Sequence, residues 1–393
     1  MTTTNGIKLA CALTVGLTTL VSLPAGARTQ GVTDDQITIG TIQDLSGPLA
    51  ALSKKSLDGM TMRVDEINAE GGINGREIRL VVDDHGYQPR RALLAAQRMI
   101  QRDRIFAMMG VMGSATAMAT IPELTKNNVP SLFPFSAARQ TYTPINDLQW
   151  ASVATYDGQM EAGIQYMMEE NSFERPCAIY QDDEFGTEVL KGAEAGLEKL
   201  GKEMVETTSF QRGSTDFSSG VAKLMAADCD LVVIGAALRE PVGIMNEART
   251  RGWSPAFFGS AASYTTELPK LGGEAVEGYY AMSGVEIPYA ASSESEELRE
   301  WAVAYEEKFG AEPDGFSVLG YTMVELFNRA AAAAGEDLTV DSLVAQLKQL
   351  EAPDLFGADY YFDEDTRNGA ATASLFQVKD GIWIRQSGAL ETP

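Results

Sequence analysis

Two short segments of this chain have the residue types and spacing to meet an anion. Gly113-Ser114 opens a segment of helical periodicity, Ser114–Asn127, directly after an apolar run. Free backbone N–H groups and a hydroxyl at such a start favour a carboxylate or a similar anion. The same serine serves equally as a plain helix N-cap. Ser136-Ala137-Ala138 follows the next apolar run in the same way and offers further N–H groups, or makes an ordinary turn. Met112, Phe135, Tyr156, Phe185 and Tyr264 flank loops of this kind and would give a pocket apolar walls. Taken singly, each reads as well as a core residue.

Other chemistry is poorly provided for. The sequence has one histidine, His85, which excludes a histidine triad and a multi-histidine metal site. The run Gly196–Lys202 has the glycine spacing of a phosphate loop, but Glu203 stands where a Ser or Thr is required, and the run closes a helix instead of opening one. Asp182-Asp183 is the only acid pair a hydrolytic reading could use. The expectation is a protein that is not an enzyme and needs no cofactor or metal. A formal net charge of -24 argues against nucleic acid as a partner, and a mean hydropathy of -0.11 excludes a polytopic membrane protein.

The elements that must position these residues alternate. Short β-rich runs at Ile37–Ile42, Ile78–Val82, Ile105–Met109 and Ser131–Phe133 are separated by helical spacing over Leu52–Ala69, Pro89–Arg102 and Ser114–Asn127. The plan restarts after Trp150, with strands at Cys177–Tyr180, Met204–Ser209, Leu231–Ile234 and Ala256–Phe258. Such alternation means parallel sheets with helices on both faces, hence an α/β chain of two doubly wound lobes. Ligands bind such sheets at the carboxyl ends of the strands. The candidate loops are therefore Gln43–Ser53, Asp83–Pro89, Val111–Thr116 and Pro134–Arg139 in the first lobe. In the second they are Gln181–Phe185, Ala236–Glu240 and Gly259–Tyr264.

Later segments predict helices over Glu294–Phe309, capped by Ser293, and over Ser317–Ala334. A hairpin is predicted over Tyr360–Val378 with a solvated turn at Asp363–Gly369.

Residues 1–27 read as an export signal. Lys8 precedes an uncharged apolar run, Leu9–Leu23, and Pro24-Ala25-Gly26-Ala27 offers small residues for cleavage after Ala27. The run is shorter than the ~20 residues a spanning helix needs. Export to an oxidising compartment leaves Cys177 and Cys229 as a candidate disulfide, or as two free buried thiols.

Ile39-Gly40-Thr41 leading to Leu45-Ser46-Gly47-Pro48, and Asp65-Glu66-Ile67-Asn68-Ala69-Glu70-Gly71-Gly72-Ile73-Asn74-Gly75, closely resemble the leucine/isoleucine/valine-binding protein family. Gly110 through Thr116, Asp183-Glu184-Phe185-Gly186 and Glu247–Gly252 continue the match, which covers about Thr33 to Val378. The resemblance implies a type I periplasmic binding fold, with lobes joined by three crossings near Ser152–Ala154, Ala281–Gly284 and Phe356–Tyr360. The lobes would be 28–152 plus 283–356 and 153–282 plus 357–393. It implies a monomer that closes on a small-molecule solute and presents it to an ABC permease and ATPase complex. A periplasmic sensor delivering its closed form to a receptor is the alternative.

By position, Ser114 matches the serine that holds the ligand carboxylate, and Pro134–Ala138 matches the loop binding carboxylate and ammonium, with Ser136 beside Ala137, which replaces a threonine. Phe185 takes an aromatic position. Ala261 and Ala237 fall where leucine-type binders have a glutamate and a tyrosine. A buried ammonium without a carboxylate would be penalised, so the expected ligand is an aromatic or aliphatic carboxylate, or an amide. Arg239 is then a candidate second partner for an anion, and Asp44, Asp182 or Asp183 a candidate substitute for the missing glutamate.

Overall fold

The computed structural model describes residues 1–3, 29–290, 295–353 and 355–393. The signal expected over 1–27, beyond its first three residues, its cleavage point at Ala27, and the loop Ala291–Ser293 lie outside the described residues.

The first half alternates β1 (Gln36–Gln43), α1 (Ala50–Ala69), β2 (Glu77–Asp84), α2 (Pro89–Arg98), β3 (Ala107–Met109), α3 (Ser114–Lys126), β4 (Ser131–Leu132) and β5 (Gln149–Trp150). These strands form one sheet in the order β2-β1-β3-β4-β5, parallel throughout. Strand β1 is buried from Ile37 to Gln43, because helices cover both faces of the sheet.

The second half repeats the plan with α4 (Tyr156–Glu170), β6 (Pro176–Gln181), α5 (Glu184–Lys199), β7 (Glu206–Phe210), α6 (Ser218–Ala226), β8 (Leu231–Gly235), α7 (Arg239–Thr250), β9 (Ala256–Gly259), α8 (Glu267–Gly272) and β10 (Tyr280–Ser283). The chain then returns to the first lobe as α9 (Glu296–Phe309), α10 (Gly315–Ala333), α11 (Val340–Leu347), β11 (Glu351–Pro353) and β12 (Asp359–Tyr361). It ends in the second sheet with β13 (Thr372–Lys379), β14 (Ile382–Arg385) and β15 (Leu390–Glu391). That sheet runs β14-β13-β10-β9-β8-β6-β7, with β15 also on β13. Helix α10 is bound to the first lobe by two glycines. A Cβ at Gly59 would lie 1.9 Å from the Ser317 carbonyl, and one at Gly320 would lie 2.3 Å from the Ser56 carbonyl. Only glycine permits two helices to meet backbone to backbone in this way.

Four expectations need correction. Ser295, not Ser293, caps α9, its hydroxyl accepting from the Leu298 N–H. Ala281–Gly284 is mostly strand: β10 occupies Tyr280–Ser283 beside β9, and the crossing begins only at Gly284. Tyr360–Val378 is not one hairpin, since β12 pairs with β11 and β13 pairs with β10 and β14. The acidic turn is not merely solvated either. Arg367 is 3% exposed, lies 4.5 Å from the Trp150 ring centroid, and donates to Asp147 and to the Asp363 carbonyl. The turn is thereby pinned to the end of the first sheet.

The same segment moves the third crossing. Phe362 packs on Phe133 and Trp150, with ring centroids 6.0 and 5.7 Å away, so the chain after residue 356 still belongs to the first lobe. It runs alongside the first crossing, where the Ala151 N–H donates to the Arg367 carbonyl and the Gly369 N–H to the Ala151 carbonyl. It reaches the second sheet at Thr372.

Cys177 and Cys229 are bonded, with Cα atoms 5.9 Å apart and a sequence separation of 52. The bridge forms because β6 and β8 are parallel neighbours in which Pro176 stands opposite Leu231. Closing a loop of that length restricts the unfolded chain, so reduction, or the double variant Cys177→Ala/Cys229→Ala, is expected to lower stability by up to about 4 kcal/mol. Urea midpoints of the oxidised and reduced protein measure this; equal midpoints would refute it.

Candidate functional site

Between the lobes lies a small cavity. All seven loops expected at the strand ends reach it. The first lobe contributes Leu49 and Leu52 after β1, Tyr87 after β2, Met112, Gly113 and Ser114 after β3, and Phe135 after β4. The second lobe contributes Phe185, Ala237 and Ala262 after β6, β8 and β9. Tyr156 at the start of α4 and Phe316 at the start of α10 complete the wall.

The loop bearing Ser114 is held from several sides. The Met112 N–H donates to the Ile42 carbonyl and the Gly113 N–H to the Phe135 carbonyl. Gly113 has φ +90°, and a Cβ there would lie 2.6 Å from the Tyr87 ring, so glycine is needed for Tyr87 to approach. His85 is structural. It is fully buried, its Nδ1 accepts from the Tyr87 N–H at 2.9 Å, and its Nε2 lies 2.9 Å from the Met112 carbonyl. Those partners define the tautomer with the proton on Nε2, and burial lowers its pKa.

Polar character in the cavity is confined to hydroxyls and amides. The Ser114 Oγ lies 2.8 Å from the Ser136 Oγ, which accepts from the Ala138 N–H at 3.1 Å. The Tyr156 hydroxyl faces the Ala137 N–H and the Ser114 side chain, and burial raises its pKa. Tyr87, also buried, is pushed up to about 12. No Asp, Glu, Lys or Arg is among the wall residues.

Met112, Ser114, Phe135, Tyr156 and Phe185 thus converge as expected, with Ser136 and Ala137 directly behind Ser114. Other candidates do not. Arg239 is exposed on the first turn of α7 and is not a wall residue. Tyr264 packs on Phe376 and Trp383, with centroids 4.5 and 5.0 Å away, and its hydroxyl accepts from the Ile287 N–H. Ala261 gives its N–H to Gln159 and lines a different cavity, while its neighbour Ala262 faces this one.

The candidate acids are engaged elsewhere. Asp44 accepts from the Gly47 and Leu49 N–H groups, Asp182 from Gln211, and Asp183 caps α5 and pairs with Arg212. Sequence reasoning missed Leu49, Leu52, Tyr87, Ala262 and Phe316. Four of these belong to loops or a helix start it had named, while Phe316 carried no local signal.

Contacts between the lobes surround the cavity. The Tyr156 N–H donates to the Ala137 carbonyl at 2.9 Å. Arg212 of the second lobe lies 4.8 Å from the Tyr87 ring centroid. Arg139, in the β4–β5 connection, forms an ion pair with Asp157 on α4, and its N–H donates to Glu188 on α5 at 2.7 Å. Glu188 is 5% exposed and its second carboxyl oxygen has no hydrogen-bond partner. Burial pushes its pKa up to about 7; the Arg139 N–H and the Lys191 charge oppose the rise and Asp157 adds to it.

A family model described as "periplasmic binding protein" matches residues 36–382. The Leu/Ile/Val-binding protein homolog 7 of Brucella abortus is 26% identical over 383 residues, covering 92% of this chain and 93% of that protein. A fatty acid ABC transporter substrate-binding protein from Thermomonospora curvata superposes with a TM-score of 0.84 at 24% identity, covering 93% of this chain and 94% of that one. A branched-chain amino acid transporter substrate-binding protein from Streptococcus pneumoniae, solved with isoleucine, gives a TM-score of 0.79 at 24% identity, covering 91% of this chain and all of that one.

Glu188 makes stability depend on pH. Its folded pKa lies above the ordinary carboxylate value, so its charged form is disfavoured in the folded state. Its contribution is intact below about pH 4.5 and is lost as pH rises through about 7. Glu188→Gln is expected to reduce the loss of stability between pH 5 and pH 8, with a cost of about 1.4 kcal/mol for each pKa unit of the shift. Urea unfolding of both proteins at the two pH values tests this; parallel pH profiles would contradict it.

Proposed function

The chain belongs to the periplasmic binding protein family, as a substrate-binding protein of the branched-chain amino acid ABC transporter type, and we propose that its solute is a small carboxylate without an α-ammonium group. The observation that carries the reading is the composition of the cavity wall. Ser114 and Tyr156 bring two neighbouring hydroxyls to the wall, which suits a carboxylate, and no carboxylate lines the cavity to meet an ammonium. Aromatic and aliphatic walls from Leu52, Met112, Phe135 and Phe185 suit the remainder of an aromatic or aliphatic acid.

The related folds have been solved as carriers of quite different solutes, isoleucine in one and, by its name, fatty acids in another. The scaffold therefore tolerates a change of ligand class, and the local wall chemistry decides between classes. In this reading residues 1–27 direct export and are removed after Ala27. The mature protein captures its solute in the periplasm and delivers it, lobes closed, to a permease and ATPase complex in the inner membrane. Closure excludes water, which strengthens the few polar contacts to the carboxylate.

Thermal melts of the mature protein, freed of ligand, against leucine, isoleucine, valine, aromatic carboxylates, aliphatic carboxylates and short amides test the reading. A carboxylate at a hundredfold its dissociation constant should add about 2.7 kcal/mol of stability. Ser114→Ala should weaken that ligand by roughly tenfold or more, the loss of one hydrogen bond to a charged group. Stabilisation by leucine at comparable concentration would overturn the ligand class and leave the family unaffected.

A further inference from the structure

The wall residue Tyr87 stands in a backbone conformation that a bulky side chain rarely adopts. Its φ is +55°, in the left-handed region, and it follows Gly86, which is in the same region. Three hydrogen bonds hold the turn. The Gly86 N–H donates to the Asp84 carboxylate at 2.9 Å, the Tyr87 N–H to His85 Nδ1 at 2.9 Å and the Gln88 N–H to the His85 carbonyl at 3.0 Å. Strain of this kind persists only where the surroundings enforce it, and it gathers at functional sites. Here it sets the Tyr87 ring beside Gly113 in its own lobe and against residues of the second.

Arg212, in the turn after β7, places its guanidinium 4.8 Å from the Tyr87 ring centroid, and the Gln181 side chain faces the Tyr87 hydroxyl. The guanidinium is itself fixed, since Nε and Nη2 both donate to one carboxyl oxygen of Asp183. The other oxygen of Asp183 accepts from the Gly186 N–H and so caps α5. A chain of contacts thus runs from the start of α5, which bears Phe185, through Asp183 and Arg212 to Tyr87. Phe185 and Tyr87 line the solute cavity and Arg212 does not. The wall that Tyr87 forms therefore depends on both lobes.

We propose that Arg212 is a positioning residue for the solute site: without touching the solute, it fixes the Tyr87 wall from the opposite lobe, so that affinity for the solute includes this contact between the lobes. The inference holds for any small solute of the cavity and does not depend on the carboxylate reading above. A cation held over a buried ring is worth more than one on an open surface, and its loss corresponds to roughly threefold to tenfold in affinity.

The test is calorimetric titration of benzoate, hexanoate and isoleucine into the wild type, Arg212→Gln, Arg212→Lys, Tyr87→Leu and the double variant Arg212→Gln/Tyr87→Leu. Arg212→Gln is expected to weaken every probe that binds the wild type by that threefold to tenfold. Arg212→Lys, which restores a cation near the ring, should recover part of the loss, and this recovery also shows that the turn after β7 is intact. In the Tyr87→Leu background Arg212→Gln should have no further effect, because the two side chains act as one unit. Urea midpoints without solute separate this from a general loss of stability, which would be equal in both backgrounds. Unchanged affinity in Arg212→Gln, or a loss that persists in full in the Tyr87→Leu background, would overturn the proposal and leave the carboxylate reading standing. A loss confined to the two acids and independent of Tyr87 would make Arg212 a counter-charge to the solute, and would overturn it as well. Isoleucine binding with the coupling intact would overturn the carboxylate reading and uphold this proposal. Failure of all three probes to bind the wild type would overturn both.

Discussion

A single buried carboxylate organises the hinge. Asp314 is fully buried and accepts four hydrogen bonds: from the Thr265 hydroxyl at 2.7 Å, the Thr266 N–H at 2.6 Å, the Thr266 hydroxyl at 3.1 Å and the Phe316 N–H at 2.9 Å. A charge so placed would be costly without partners, and charge-assisted bonds of this kind are about twice as strong as neutral ones. Two donating residues come from the second lobe and one from α10 of the first. The carboxylate therefore caps a helix and ties the lobes together at the same point. Everything α10 presents to the cleft, Phe316 and Leu319 included, is positioned by that knot and by the glycine contact with α1 behind it.

Away from the hinge the lobes meet through weaker, more exposed contacts. The Arg139–Asp157 pair is part-exposed, and pairs of this kind contribute little individually because water screens them. Arg212 over Tyr87 and the Tyr156 N–H on the Ala137 carbonyl add further small contributions. Such an arrangement suits a clamp. The strong connection lies at the hinge, and the other contacts between the lobes are of low individual strength. On the proposed reading, a solute touching both lobes would add its contacts to the weak set and so shift the balance toward a closed arrangement.

The strand-and-helix alternation was legible because each element carries its own periodicity, and the rule that ligands lie at strand carboxyl ends named all seven loops that reach the cavity. What local pattern does not encode is which distant element comes to face them. Phe316 lies far from Phe135 in sequence and at the start of a helix whose period says only that one face is buried. Tyr264 and Phe185 both follow strands in the same lobe. Only the arrival of Phe376 and Trp383 from the carboxyl-terminal strands draws Tyr264 away from the cavity. The misplaced hairpin has a similar cause: Tyr360 and Val378 each sit in β-rich runs, but β12 found β11 and β13 found β10, pairings set by the crossings and invisible to spacing.

On the proposed carboxylate reading, the selectivity of the cavity would rest on exclusion as much as on attraction. For Asp44 or Asp183 to meet a ligand ammonium, it would first have to be released from its present partners. Asp44 would have to give up two backbone N–H groups that fix the loop carrying Leu49, and Asp183 would have to abandon both its helix cap on α5 and Arg212, which lies against Tyr87. A lost cap costs about 1 kcal/mol, and breaking a part-buried ion pair leaves Arg212 without its partner. Either release also loosens a wall of the cavity itself, Leu49 in one case and Tyr87 in the other. Asp44 and Asp183 are thus committed to building the cavity. A carboxylate solute would meet the hydroxyls of Ser114 and Tyr156, which already line the cavity. On that reading the difference between the two classes would come from what each would force the protein to unmake, a repulsive basis for specificity.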